Sequence, residues 1–180
     1  MLEYARSAGD DAAKALTEEY ATVYTEVYAE PPYNSGPLFS AERFLDRTRR
    51  QVASDGFELV SAIDRDSGKL AGFCFGLHFP AGRWWAGEAT EPPAEVVAAP
   101  KVAVIELILR SPYRGHGYGK RLLGELLSGR DEPYAVLTSD PAAPAHAMYE
   151  RWGWQVAGTV RSAPDAPLMD AMVLEHVSSC

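Results

Sequence analysis

The sequence predicts a mixed α/β (α+β) fold. Three observations carry that prediction: helical apolar spacing near the start, a β-hairpin pattern after it, and a strand that runs through a glycine-rich turn into a helix. Six strands and four helices can be read in order along the chain.

Leu16, Tyr20, Val23, Tyr24 and Val27 recur at helical spacing, which predicts a helix over about 15–29, ended by Pro31-Pro32. A second helix follows, with Ser40 as its N-cap and Ala41, Phe44, Leu45, Thr48 and Val52 on its apolar face. Phe57–Ile63 and Leu70–Phe79 are strand-like runs joined by the turn-rich Asp64–Lys69, a β-hairpin. Residues 80–100 hold four prolines with Trp84 and Trp85, the composition of a long surface loop. Lys101–Arg110 is a strand that leads through Ser111-Pro112-Tyr113 into the glycines and a helix, Tyr118–Ser128. A strand (Tyr134–Ser139), a helix (Ala142–Trp152) and two closing strands (Trp154–Val160, Met169–Val177) complete the order. No repeat or linker interrupts it, so residues 1–180 are expected to form one domain.

Composition narrows the function classes. A net charge of −8 disfavours nucleic acid, whose phosphates call for surplus Lys and Arg, and favours a cationic partner. The longest apolar run, Val102–Leu109, is broken by Glu106 and far too short to cross a bilayer, so no membrane partner is expected. Cys74 and Cys180 fit neither a disulfide framework nor a zinc site, and with no secretory leader at the start the expectation is a cytoplasmic protein. No metal is expected: His116 and His146 have no second ligand at useful spacing, and His78 follows the hairpin strand.

Gly115, Gly117 and Gly119 stand at every second position between a strand and a helix, where backbone N–H groups can converge on one anion. The helix start adds its positive dipole end, and Arg114, His116, Lys120 and Arg121 add donors. A P-loop is excluded because Arg114 stands where its first Gly is needed and Arg121 where Ser or Thr is needed. A dinucleotide fingerprint is excluded by Lys120 and by the late place of the loop in the chain.

The run Arg114-Gly115-His116-Gly117-Tyr118-Gly119 instead resembles the coenzyme A loop of the GCN5-related N-acetyltransferase (GNAT) superfamily. Ala145-His146-Ala147-Met148-Tyr149-Glu150-Arg151-Trp152-Gly153-Trp154 resembles that family's Ala-x-x-Leu-Tyr-Glu-x-x-Gly-Phe segment downstream. The resemblance is strong over about 101–160 and rests on element order before that. It implies a central, mostly antiparallel twisted sheet of six to seven strands with about four helices, splayed at the cofactor strand. It also implies acetyl-CoA as cofactor, held by Leu107, Ile108 and Leu109 through their main chain and by Arg114, Gly115, His116, Gly117, Tyr118, Gly119 and Lys120. One departure is Ala142, where family members commonly carry an Asn that helps hold the cofactor arm.

Acyl transfer to an amine needs a base for the amine and an acid for the leaving thiolate. Glu106 is a carboxylate inside an apolar strand, a group that must be paired, hydrated or functional, and the resemblance implies a base. Tyr149 occupies the position of the family's thiolate acid; on residue pattern alone, without the neighbouring motif, a core tyrosine on an amphipathic helix is the favoured reading. The resemblance implies an acceptor side built by the loop between the first two helices, the end of the hairpin and the closing strands. There this sequence offers Tyr28, Glu30, Tyr33, Trp84 and Trp85 as candidates, together with Glu26, Glu88 and Asp170. Aromatic and acidic groups together suit a small cationic amine. The alternative for Trp84 and Trp85 is a homodimer interface or a cap on the sheet. The expected function is therefore acetyl-CoA-dependent N-acetylation of a small-molecule amine; the alternative is a silent acyl-CoA-binding module.

Overall fold

The computed structural model describes residues 1–175. Val177, at the end of the last predicted strand, and Cys180 lie outside the described residues. In chain order the elements are β1 (Leu2–Ser7), α1 (Gly9–Ala15), α2 (Glu18–Tyr28), a 3-10 turn (Pro37–Phe39), α3 (Ala41–Gln51), β2 (Glu58–Asp64), β3 (Leu70–Phe79), β4 (Glu88–Ala89) and α4 (Ala94–Ala98). Then follow β5 (Lys101–Leu109), a 3-10 turn (Ser111–Tyr113), α5 (Tyr118–Leu127), β6 (Tyr134–Ser139), α6 (Pro144–Arg151), β7 (Gln155–Arg161) and β8 (Met169–Glu175). The fold is mixed α/β with an open, mostly antiparallel sheet. Among the described residues it has eight strands and six α-helices, against the six to seven and about four expected. The additions are short or edge elements: β1, α1, the two-residue β4 and the five-residue α4. The last two occupy the segment 80–100 expected to be loop.

Two compact units are formed, one of residues 1–77 and 105–128, the other of 78–104 with the residues from 129 onward. In the first, the strand order is β1-β2-β3-β5, with β1 and β2 antiparallel from Leu2↔Asp64 to Ser7↔Leu59. β2 and β3 form the expected hairpin, Glu58↔Gly76 to Ile63↔Leu70, with an irregularity at Ala62/Ile63. β3 is buried along nearly its whole length, the mark of a strand covered on both faces. Helices α2 and α3 supply aromatic rings to it, with Tyr20 and Phe44 centred 5.1 and 5.9 Å from Phe73. Helix α5 lays Leu122, Leu123, Leu126 and Leu127 inward and packs against β1 and β2. Burying one such side chain stabilises by about 1.5–3 kcal/mol. Helix α3 starts as expected, the Ser40 hydroxyl accepting the Arg43 N–H at 3.3 Å.

The second unit has strand order β5-β6-β8-β7-β4. β5 and β6 pair in parallel over three residues, Lys101↔Tyr134 to Ala103↔Val136, and β6, β8, β7 and β4 pair antiparallel in turn. Lys101 is fully buried, and its ammonium donates to the carbonyls of Arg83 (2.8 Å), Pro80 (3.4 Å) and Val97 (3.4 Å). Those bonds hold the segment between β3 and β5 and meet the rule that a buried charge must be satisfied.

Candidate active site

The glycine loop, Glu106, the strand residues Leu107, Ile108 and Leu109, and the acceptor candidates Tyr28, Glu30 and Tyr33 fall in the first unit. The loop is exposed, and Gly115 and Gly117 adopt φ of 81° and 78°, the left-handed region that glycine enters without strain. Gly117 is the N-cap of α5 and has no side chain to offer. The first hydrogen bond of that helix runs from the Arg121 N–H to the Gly117 carbonyl at 3.1 Å. By helix geometry the N–H groups of Tyr118, Gly119 and Lys120 are then left without intrahelical acceptors. No acidic residue stands in that first turn. Exposed backbone donors at a positive helix end, with no acidic residue in the first helical turn, fit a phosphate.

Glu106 lies on β5, reached on one side by the rings of α2. Its carboxylate accepts a hydrogen bond from the Tyr28 hydroxyl at 3.0 Å. Protein surrounds the carboxyl on most sides while a part of the residue stays accessible, and desolvation raises its pKa from the ordinary 4.5 to about 7. The Arg47 charge and the Tyr28 hydrogen bond act in the opposite direction and only partly offset burial. Tyr28 is itself pushed well above the ordinary phenol range, first by burial and then by the Glu106 charge. Burial and the same carboxylate push the Cys74 thiol well above its ordinary range, which shuts it off as a nucleophile. Glu106 is thus poised between acid and base near neutrality.

An aromatic cluster holds Tyr28 in place. Its ring stacks on Phe39 (4.4 Å, 7°) and meets Tyr33 (4.6 Å) and Tyr24 (4.5 Å). Arg47 donates to the Tyr24 hydroxyl at 2.9 Å and to the Leu38 carbonyl at 3.0 Å, tying α3 to this cluster. Sequence reading missed Arg47, Tyr24 and Phe39. Arg47 lies on α3 three residues after Phe44 and one before Thr48, both buried, and its place beside that face was the available signal. Glu30, predicted on the acceptor side, grips Arg114: the two guanidinium Nη atoms donate to its two oxygens at 2.6 and 3.0 Å. Glu26 holds Arg110 by the other edge of its guanidinium, Nε at 3.2 Å and Nη2 at 2.9 Å.

β3 and β5 approach closely beside Glu106. A Cβ at Gly72 would meet the Ile108 carbonyl oxygen and stand 3.0 Å from the Leu109 Cα. Leu107 and Leu109 are half-buried and Ile108 is buried.

The remaining predicted residues lie in the second unit. Tyr149 is 8% exposed on α6, its ring edge-on to Trp152 and Trp154. One turn earlier, His146 pairs through Nε2 with Asp170 at 2.8 Å. Trp85 packs edge-on against Phe79 with its indole N–H buried, and Trp84 is half-buried beside it. His78 is held by Glu132 at 3.0 Å. Glu88 is exposed on β4. Asp140 accepts the Ala142 N–H at 2.8 Å, and the N-cap of α6 is Ala143. A cavity of about 420 Å³ in this unit, lined by Val96, Tyr134, Val156 and Leu174 among others, contains none of the predicted residues. Among the described residues no cluster of His, Cys, Asp or Glu could hold a metal ion, and no helix is long and apolar enough to cross a membrane.

The sequence profile of the Acetyltransferase (GNAT) family matches residues 13–154, and the chain belongs to that family. Solved structures agree in fold. Arabidopsis thaliana NAA60, in complex with acetyl-CoA, superposes with a TM-score of 0.62 at 14% identity over 97% of this chain and 98% of its own. The PaiA N-acetyltransferase of Thermoplasma acidophilum, in complex with coenzyme A, gives 0.56 at 14% identity over 98% and 99%. An aminoglycoside acetyltransferase from an uncultured soil metagenomic sample gives 0.57 at 19% identity over 85% and 91%. At these identities the likeness shows the fold alone. Among curated proteins, no sequence matches.

Proposed function

We propose that the protein is an acetyl-CoA-dependent N-acetyltransferase whose acceptor is a primary amine of a small cationic molecule. The observation that carries this reading is Glu106: a carboxyl with a pKa of about 7, one face held by Tyr28, on the strand that leads into an anion-binding glycine loop. Family membership supports the acetyl transfer, and neighbours solved with coenzyme A or acetyl-CoA support the donor.

Acetyl-CoA supplies an activated acetyl thioester. The backbone donors of Gly115, His116, Gly117, Tyr118, Gly119 and Lys120 would hold its pyrophosphate, and the main chain of Leu107, Ile108 and Leu109 its extended arm. An ammonium acceptor cannot attack a carbonyl until it loses a proton, and Glu106 is the group of suitable pKa to take it. Tyr149 would return a proton to the leaving sulfur; a thiol has a pKa of about 8.5, so this contribution is modest, about 10² in rate. The acidic net charge of −8 and the ring cluster around Tyr28, Tyr33 and Phe39 favour a cationic acceptor.

The test is release of free thiol from acetyl-CoA in the presence of a panel of polyamines, aminoglycosides and amino-acid amines. Saturable release with at least one cationic amine is expected. Coenzyme A binding without release from any amine would favour a silent module. Release with neutral amines only would remove the cationic acceptor.

A further inference from the structure

Two glutamate–arginine pairs join the end of α2 to the segment between β5 and the glycine loop. Glu26 and Glu30 are four residues apart, as are Arg110 and Arg114, so the pairs form side by side across the same separation of 84 residues. Each is a two-point contact: Arg110 donates through Nε and Nη2 at 3.2 and 2.9 Å, and Arg114 through both Nη atoms at 2.6 and 3.0 Å. Arg114 also donates from Nε to the Leu109 carbonyl at 2.8 Å, and Arg110 from Nη1 to the Leu70 carbonyl at 3.4 Å.

A guanidinium has five N–H groups, and its value to a phosphate lies in offering two of them at once. In Arg114 the Nη pair is taken by Glu30 and the Nε edge by Leu109. A phosphate seeking either two-point edge would have to displace a carboxylate or a main-chain bond. The backbone nest of residues 115–120 requires no such exchange. The loop that Glu30 begins carries Tyr33 and Phe39, which pack on Tyr28, the donor to Glu106.

We infer that Arg114, at the head of the glycine loop, is a positioning residue and not a phosphate ligand: with Arg110 it fastens the α2 end and the 29–39 loop to the cofactor strand, and so holds Tyr28 on Glu106. The acceptor side is thereby set from the strand that carries the cofactor. This rests on reading the glycine loop as the coenzyme A site.

The experiment is a double-mutant cycle of Arg114→Gln and Glu30→Gln in the full chain, with coenzyme A itself as the probe in titration calorimetry. Both single variants are expected to bind coenzyme A within about fivefold of wild type. Both should also speed amide exchange over 28–39, and the double variant should be no faster than either single one. The charge swap, Arg114→Glu with Glu30→Arg, should restore slow exchange and return the carboxyl titration of Glu106, followed by NMR, to its wild-type position. A tenfold or greater loss of coenzyme A affinity in Arg114→Gln together with tighter binding in Glu30→Gln would overturn the inference, as would additive effects on exchange. Absence of coenzyme A affinity in the wild type would remove the cofactor reading, while the exchange and titration arms still decide the positioning role.

Discussion

Replacing Glu106 by Gln removes a charge that the fold holds at a cost, and the size of that cost follows from the site. The carboxyl has a pKa of about 7 against an ordinary 4.5. One pKa unit corresponds to about 1.4 kcal/mol, so a ceiling of about 3 kcal/mol attaches to keeping the ionised form in place. Partial solvent access lowers this to about 1–2 kcal/mol. The sign is set by proton binding: between about pH 4.5 and 7 the folded chain keeps the proton and the unfolded chain releases it, so stability falls as pH rises through that window. Gln keeps the shape and can still accept the Tyr28 hydroxyl, but it does not titrate. Glu106→Gln should therefore match wild type near pH 4.5 and exceed it by about 1–2 kcal/mol above pH 7, or about 2–8 °C in Tm for a chain of this size. Thermal and urea unfolding at several pH values measure the difference. A difference that is flat with pH, or that favours wild type above pH 7, would refute the reasoning.

Tyr28→Phe removes the hydrogen bond that lowers the Glu106 pKa, so the acidic limb of the rate profile for thiol release should move to higher pH; an unmoved limb would separate Tyr28 from the base. Gly72→Ala drives a Cβ into the main chain of β5 at Ile108 and Leu109, which cannot yield as a flexible side chain could. A loss of about 2 kcal/mol or more in urea unfolding is expected, and a neutral outcome would show that β3 and β5 can separate freely. Gly117→Ala meets no atom within 4 Å, so its cost comes from φ of 78° alone, about 1 kcal/mol. Coenzyme A affinity measured by calorimetry should fall with it. Tyr149→Phe should lower kcat by about 10² while leaving coenzyme A affinity intact; unchanged kcat would leave Tyr149 as a core residue.

The parts of the fold that could be read in the sequence are those where burial leaves a pattern. Leu70–Phe79 and Tyr134–Ser139 are apolar enough to fix their ends by composition, and both strands have those bounds. The missed elements carry no such signal. β1 buries only Leu2 fully, so its residues lack an alternating pattern, and β4 is two exposed residues paired with β7. The site divides in the same way. Glu106 stood out as a carboxylate in an apolar strand, and the glycine spacing stood out as an anion loop. Tyr28 was read as an acceptor residue because nothing local ties it to a carboxylate 78 residues away. Glu30 and Arg114 likewise each looked like a ligand contact, because an ion pair across 84 residues leaves no trace in local sequence.

The most direct test of the central claim is amine-dependent thiol release from acetyl-CoA near pH 8 by wild type and Glu106→Gln side by side, with coenzyme A affinity measured on both. Release saturable in a cationic amine is expected, reduced by about 10²–10⁴ in the variant at equal coenzyme A affinity. Equal release by both proteins, or none from wild type with any amine, would contradict it.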